Sequence, residues 1–280
     1  NTLGILYWRK GDLKNALEFS SKTLDLRAQL GDRIGKARSY NNLGVIYWTK
    51  GEFKEADACY RNALREFERS GDIRSIADIH INLGLLAWTQ GNWDTSRRHC
   101  ESGYSLYDRL GDGAALASIH SRLGVIDEQS GNWDKALQHY EAHLRFNQRT
   151  GDTRGKATSL INLGSLFLKL GDLDKCRESL EQSLKLNQQL KDEGGIAVSH
   201  LNLAMLYRDQ ASWDSALQHI GQAVRIYEGR SLKKDLATAY RVLAEILLAK
   251  GKLGEARKSA WKALSLARRL SDKLELGHIH

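Results

Sequence analysis

The sequence predicts an all-α fold, a solenoid of about seven helix-turn-helix units, and three observations predict it. The chain carries 25 glycines and no proline, so no residue forces a helix to break and the turns fall to Gly. A self-alignment shifted by forty residues puts Leu3, Leu43, Leu83, Leu123, Leu163, Leu203 and Leu243 in one column. The next column never holds anything larger than a methyl group: Gly4, Gly44, Gly84, Gly124, Gly164, Ala204 and Ala244. Such a column marks helices in close contact.

The elements of one unit follow in order. Apolar residues at helical spacing define a first helix, near 34–49 in the second repeat. It is closed by the column Gly11, Gly51, Gly91, Gly131, Gly171, Ala211 and Gly251, the position of a C-terminal helix stop. A second helix, near 53–69, opens with Leu, Phe or Trp and carries its own small column: Ala16, Ala56, Ser96, Ala136, Cys176, Ala216 and Ala256. A Gly-Asp pair at Gly31, Gly71, Gly111 and Gly151 turns the chain into the next unit. One such hairpin cannot bury its apolar face alone, and stacked hairpins can. On the first helix, Leu43, Ile46 and Tyr47 are expected to face the partner helix, with Ala37 and Gly44 against a neighbouring hairpin.

Composition narrows the function. No run approaches the roughly 20 apolar residues of a membrane span, and the first residues lack a signal-peptide layout, so a soluble, cytoplasmic protein is expected. Cys59, Cys100 and Cys176 are unclustered, which disfavours a disulfide framework or a Cys-based zinc site. Residues 230–275 hold twelve Lys/Arg and five Asp/Glu, or +7 of the net +8. Charge so localised is not a phosphate-tracking surface, and nucleic acid ranks low among partners.

With Leu43-Gly44, Tyr47, Ala56, Tyr60 and Ala63 in their slots, the pattern resembles the tetratricopeptide repeat (TPR) over essentially the whole chain. The unit is forty residues rather than the usual ~34, and a Gly-Asp turn replaces the family's closing proline. In both respects it is similar to the LGN/Pins group, kinesin light chain and MalT-type sensor arrays. The resemblance implies a right-handed α-α superhelix, one array over 1–280, with first helices lining a concave groove. Neither end carries a polar capping repeat, and the chain stops one turn into an expected eighth first helix, so an excerpt of a longer protein is expected.

The first-helix stripe Arg38, Asn42, Val45 and Thr49, flanked by Asn41 and Trp48, then falls in the groove. Its centre reads Thr2, Asn42, Asn82, Arg122, Asn162, Asn202 and Val242 down the repeats. An amide both donates and accepts, so a ladder of them suits the main chain of an extended peptide. Similar superhelices, O-GlcNAc transferase and kinesin light chain among them, hold peptide main chain with Asn at this slot. Asn is also a poor mid-helix residue, which makes its recurrence informative. The alternative is that these amides bond only water or adjacent helices. Arg122 is suited to a bidentate carboxylate. Trp48 and Trp88, with Trp8, either offer flat pockets to a ligand or pack between first helices. Beyond Arg122 the groove becomes charged, with Glu128, Lys169, Arg208 and Asp209.

Trp93, Trp133 and Trp213 share a column with Leu and Phe and are expected in the core. Trp261, among Arg257, Lys258 and Lys262, stands in a polar column; it marks either a secondary contact surface or a solvated basic face. His80, His120 and His200 share a packing column. His139 and His143, four residues apart, lack a completing ligand, and no metal or cofactor is expected. No catalytic constellation stands outside the repeat columns, so no enzymatic activity is expected. The expected partner is a protein or peptide segment, or another domain of the same parent, and no membrane. A non-catalytic interaction scaffold is the first reading. The second is the sensor array of a multidomain signalling protein, such as a MalT-like ATPase or a TPR-fused peptidase.

Overall fold

A computed structural model describes residues 2–230 and 232–276, with side chains through Arg268. Among these residues there are fourteen helices and no strand: α1 (Thr2–Arg9), α2 (Leu13–Gln29), α3 (Arg33–Lys50), α4 (Phe53–Ser70), α5 (Ile73–Thr89), α6 (Trp93–Arg109), α7 (Gly113–Gln129), α8 (Trp133–Thr150), α9 (Thr153–Leu170), α10 (Leu173–Gln189), α11 (Glu193–Asp209), α12 (Trp213–Gly229), α13 (Lys233–Ala249) and α14 (Leu253–Leu276). Odd-numbered helices are the first members of hairpins and even-numbered ones the second. Contacts divide the chain into two compact units, 1–126 and 127–276, and the division falls within α7.

The turns explain why these helices start and stop where they do. Gly51 closes α3 at φ +87°, where a side chain would be strained. Its N–H donates to Trp48 O and that of Glu52 to Tyr47 O, the 6→1 closure of a Schellman turn. The acidic residue after the stop position, which is glycine before Asp32, Asp72 and Asp152 and Lys191 before Asp192, starts the next helix. Asp32, Asp72, Asp152 and Asp192 accept from the backbone N–H groups of Gly35, Ser75, Gly155 and Gly195 at 2.8, 3.1, 3.0 and 3.2 Å. The Gly-Asp pair is thus a stop joined to an N-cap. Links of two or three residues between helices that pack along their length, all but α1 and α14 of 17 or 18 residues, reverse the chain in each hairpin.

Packing reverses one expectation. A Cβ built on Gly44 would lie 2.5 Å from Tyr60 Cε1, and one on Gly164 2.6 Å from Leu180 Cγ. Tyr60 and Leu180 belong to the second helix of the same hairpin, so the small column lets a hairpin close on itself rather than on its neighbour. The invariant leucines do the reverse: Leu83 shares a core with Ala56, Tyr60 and Phe67 of the preceding hairpin, and Leu203 with Cys176 and Leu180. A side chain large enough to reach across the stack belongs there, and a void-filling Leu buries on the order of 2 kcal/mol of apolar surface.

Two further expectations are corrected. Trp133 is 38% exposed, and Trp93 and Trp213 are half-buried rather than core; at the first position of a second helix only one ring face meets the hairpin. α14 runs through Ser271-Asp272 to Leu276, where a turn into an eighth first helix is expected. Ser271 stands where the first four repeats have glycine, so the residue itself does not favour the left-handed stop. The forty-residue period puts the expected start of that eighth helix near 274, within α14, and its continuation at 277–280 lies outside the described residues.

Within each unit, first helices of successive repeats approach one another directly, α3 with α5, α9 with α11 and α11 with α13. They therefore form a continuous face, and the expected stripe lies on it. No helix among the described residues is long and apolar enough to cross a membrane.

Candidate functional site

The four asparagines of the stripe occupy the same turn of their helices and are all half-buried: Asn42 on α3 and Asn82 on α5 in the first unit, Asn162 on α9 and Asn202 on α11 in the second. Within each unit the two lie on first helices that contact one another. Asn82 donates from its amide nitrogen to Asn41 Oδ1 at 2.8 Å, which ties α5 to α3. That bond fixes the orientation of the Asn82 amide and leaves its oxygen as an acceptor.

Arg122 sits beside a cavity of about 180 Å³ lined by Gly84, Leu85 and Trp88 of α5, Ser96 and Cys100 of α6, and Ser121, Val125 and Ile126 of α7. Two first helices form its sides and the intervening second helix its floor. Gly84 lets α5 close on α6 at this wall, because a Cβ there would stand 3.2 Å from Cys100 Sγ. Arg122 is half-buried and has no carboxylate partner among the described residues. Burial raises the pKa of the Cys100 thiol, so it is a neutral floor rather than a nucleophile. Arg122, Trp88 and Asn82 are thus brought to adjoining positions on one short stretch of the face.

The tryptophan column divides. Trp8 donates from Nε1 to Thr49 Oγ1 at 3.0 Å, a bridge between α1 and α3. The Nε1 atoms of Trp48 and Trp88 are buried without an acceptor. Trp48 packs against the core shared by α4 and α5, and Trp88 meets Trp93 edge-on, centroids 6.3 Å apart. Both are therefore packing residues, and Trp88 alone also lines the cavity.

The other groove cations are engaged. Lys169 Nζ lies 2.7 Å from Glu128 Oε1 and 5.8 Å from the Trp133 ring centroid. Arg208 binds Asp209 at 2.8 Å and Glu245 at 2.5 Å. Arg38 is fully on the surface of α3. At the far end, Trp261 is 61% exposed and Arg257 and Lys258 are exposed, whereas Lys262 donates to Tyr240 Oη at 2.9 Å and stands 4.6 Å from its ring centroid. Leu248, Leu253 and Leu264 are exposed on the same two helices, so this end is apolar as well as basic.

Glu128, expected among the charged groove residues, is instead buried, as is its neighbour Asp127, which the sequence pattern did not single out. Glu128 is 8% exposed and accepts from Tyr140 Oη at 2.6 Å, and Asp127, fully buried, faces His139 Nε2 at 3.5 Å. Tyr140 has its pKa raised by burial and then by this bond. The signal was present in the sequence, since Asp127-Glu128 replaces Tyr47-Trp48 and Ala87-Trp88, and the Asp127 column is otherwise apolar. His143 is bonded to Ser159 Oγ at 2.9 Å, and His80 and His200 are half-buried as expected. Among the described residues no three His, Cys, Asp or Glu side chains converge on one point.

Residues 112–273 match the family model of the MalT-like TPR region, and 1–68 and 41–115 match tetratricopeptide repeat models. None of the curated proteins matches the chain. Among solved structures, the apo form of RapI is similar at 13% identity over 96% of this chain and 96% of that one, TM-score 0.82. A STAND protein with a tetratricopeptide repeat sensor from Pyrococcus horikoshii is similar at 15% identity over 98% of this chain and 43% of that one, TM-score 0.77. The Rap conjugation gene regulator of plasmid pLS20, in complex with the Phr* peptide, is similar at 15% identity over 96% of this chain and 73% of that one, TM-score 0.71. At these identities the likeness is one of fold.

Proposed function

Because the chain belongs to the tetratricopeptide-repeat family, in its MalT-like form, we propose that it is a non-catalytic interaction module that takes a peptide segment on the face formed by its first helices. The observation that carries this reading is the cavity between α5 and α7, where a half-buried and unpaired Arg122 stands beside an apolar hollow and within the asparagine stripe. A cation left without a partner in partly desolvated surroundings favours an anionic group of a ligand. The asparagines hold the ligand main chain, and the cavity receives an apolar side chain next to a carboxylate. In the second unit, Lys169 and Arg208 set the charge beside Asn162 and Asn202 through ion pairs that a ligand there would have to displace. The Phr* peptide complex of a similar fold supports a peptide as the ligand class.

The test begins with binders selected from a random heptapeptide display library against the full chain. Asn82→Ala with Asn162→Ala is expected to weaken a first-helix binder about tenfold or more, near 1.4 kcal/mol, and Arg122→Ala to weaken acidic binders selectively. Unchanged affinities for binders whose footprint covers α5 and α7 would sink the reading.

A second reading has its own support. The match to the MalT-like region, and a likeness to a STAND sensor of which this chain spans 43%, favour an array that reports ligand binding to other domains of one parent. The exposed Trp261, Arg257 and Lys258 with Leu248 and Leu253 are then the docking end. Recovering the full reading frame of the parent gene decides between the two, because an ATPase, DNA-binding or protease domain belongs only to the second.

A further inference from the structure

Two histidine pairs recur at equivalent places. His80 on α5 and His99 on α6 place their Nδ1 atoms 3.0 Å apart, and His200 on α11 and His219 on α12 place theirs 2.9 Å apart. The pairs are 120 residues apart in sequence, one in each compact unit. In the six repeats that contain both columns, the first-helix position reads Tyr40, His80, His120, Leu160, His200 and Tyr240, and the second-helix position reads Cys59, His99, His139, Ser179, His219 and Ser259. Histidine occupies both columns in the same three repeats and neither in the other three. Packing alone does not require it, since Tyr with Cys, Leu with Ser and Tyr with Ser fill the same space. The recurrence concerns ring nitrogens.

From this juxtaposition we infer that His80–His99 and His200–His219 are two equivalent two-histidine sites for a divalent transition metal of tetragonal preference, Cu(II) above all. Metal–imidazole bonds of about 2.0–2.1 Å drawn from nitrogens 2.9–3.0 Å apart subtend about 90–95° at the ion. That is the cis angle of a tetragonal centre, the geometry Cu(II) and Ni(II) adopt with nitrogen and oxygen donors. A tetrahedral Zn(II) needs about 3.3 Å between the same atoms and is the poorer fit. All four rings are half-buried, which leaves an approach from solvent. Burial lowers the pKa of each, that of His99 and of His200 to about 4. The rings are therefore neutral at pH 7, as ligation requires. Without metal, one ring of each pair donates its Nδ1–H to the bare Nδ1 of the other. Binding moves that proton to Nε2 of the same ring, so the protein's proton count is unchanged while both Nδ1 lone pairs turn to the ion. No third side chain completes either pair among the described residues, so water fills the other positions and the ion is exchangeable. The bound ion would clip the first helix of a hairpin to the second.

The probe is Cu(II) titrated into the full chain carrying His278→Ala and His280→Ala, which removes two histidines at the end of the sequence. Calorimetry is expected to lose one equivalent of bound ion on His99→Gln and two on His99→Gln with His219→Gln. Decrements are read rather than totals because His120 and His139 occupy the same columns. Pulsed electron paramagnetic resonance of the unsubstituted pairs is expected to count two imidazoles on each ion lost in those variants, and Zn(II) is expected to bind more weakly than Cu(II). A double variant of unchanged helicity that binds as many equivalents as the parent would make the metal adventitious and overturn the proposal. Should that variant lose its helicity, the pulsed spectrum of the parent still decides, and one imidazole or none per ion would refute the sites.

Discussion

At the scale of single residues, the fold depends on atoms that are missing. Gly44 has no room for a methyl group because the Tyr60 ring lies against its backbone. Gly44→Val is expected to cost about 1–3 kcal/mol in denaturant unfolding, as overpacking of a core does, whereas Trp261→Ala, at an exposed site, is expected to change stability by about 0.5 kcal/mol or less. The histidine pairs give the chain an acid sensitivity whose sign is fixed. Burial holds the folded pKa values of His80, His99, His200 and His219 below the ordinary 6.5, so the unfolded chain binds more protons. Their contribution is whole above about pH 6.5 and is lost as pH falls toward about 4. Unfolding midpoints measured between these limits are expected to decline, and His99→Gln with His219→Gln to flatten the decline. The leucine and small columns were plain in the sequence. Their partners were not: which neighbour a column touches depends on the rotation of each helix in the stack, and a repeat pattern gives only that the rotation recurs.

At the scale of the element, helix ends are set by turn chemistry that a forty-residue alignment displays directly. Where glycine leaves its column, the structure keeps the left-handed backbone: Lys191 and Ala211 both stand at φ +53°. An L-residue there carries strain of about 1 kcal/mol or more, partly offset by the smaller entropy it loses on folding. Ala211→Gly is therefore expected to raise stability by about 0.5 kcal/mol, read as a higher unfolding midpoint with an unchanged denaturant slope. Ser271 shows the other outcome, since α14 continues through it. The difference between the two cases is not legible in the residue. Ala211 is followed by Trp213 and a full second helix with a core to join, and that packing outweighs the strain.

At the scale of the molecule, contacts run between adjacent hairpins, so a local injury stays local. Gly164→Val, beside Leu180, is expected to speed amide exchange in α9, α10 and the hairpin elements touching them, and to leave the amides of α3 and α4 protected. Uniform loss of protection across the chain would contradict nearest-neighbour stability. The repeat also explains how much of the candidate site could be read beforehand. Asn42, Asn82, Asn162 and Asn202 were found because a repeated slot has a repeated exposure. The cavity at Arg122 was not, because it requires Gly84, Cys100 and Val125 from three helices to meet.

The sequence by itself determined the helices, their hairpin pairing and the turns at glycine, because these follow from local chemistry and from a period that recurs every forty residues. Only the tertiary structure decided which charges remain available. Lys169 and Arg208 meet carboxylates contributed by other repeats, and Arg122 meets none among the described residues. Charge satisfaction is a relation between residues distant along the chain, and neither composition nor period encodes it.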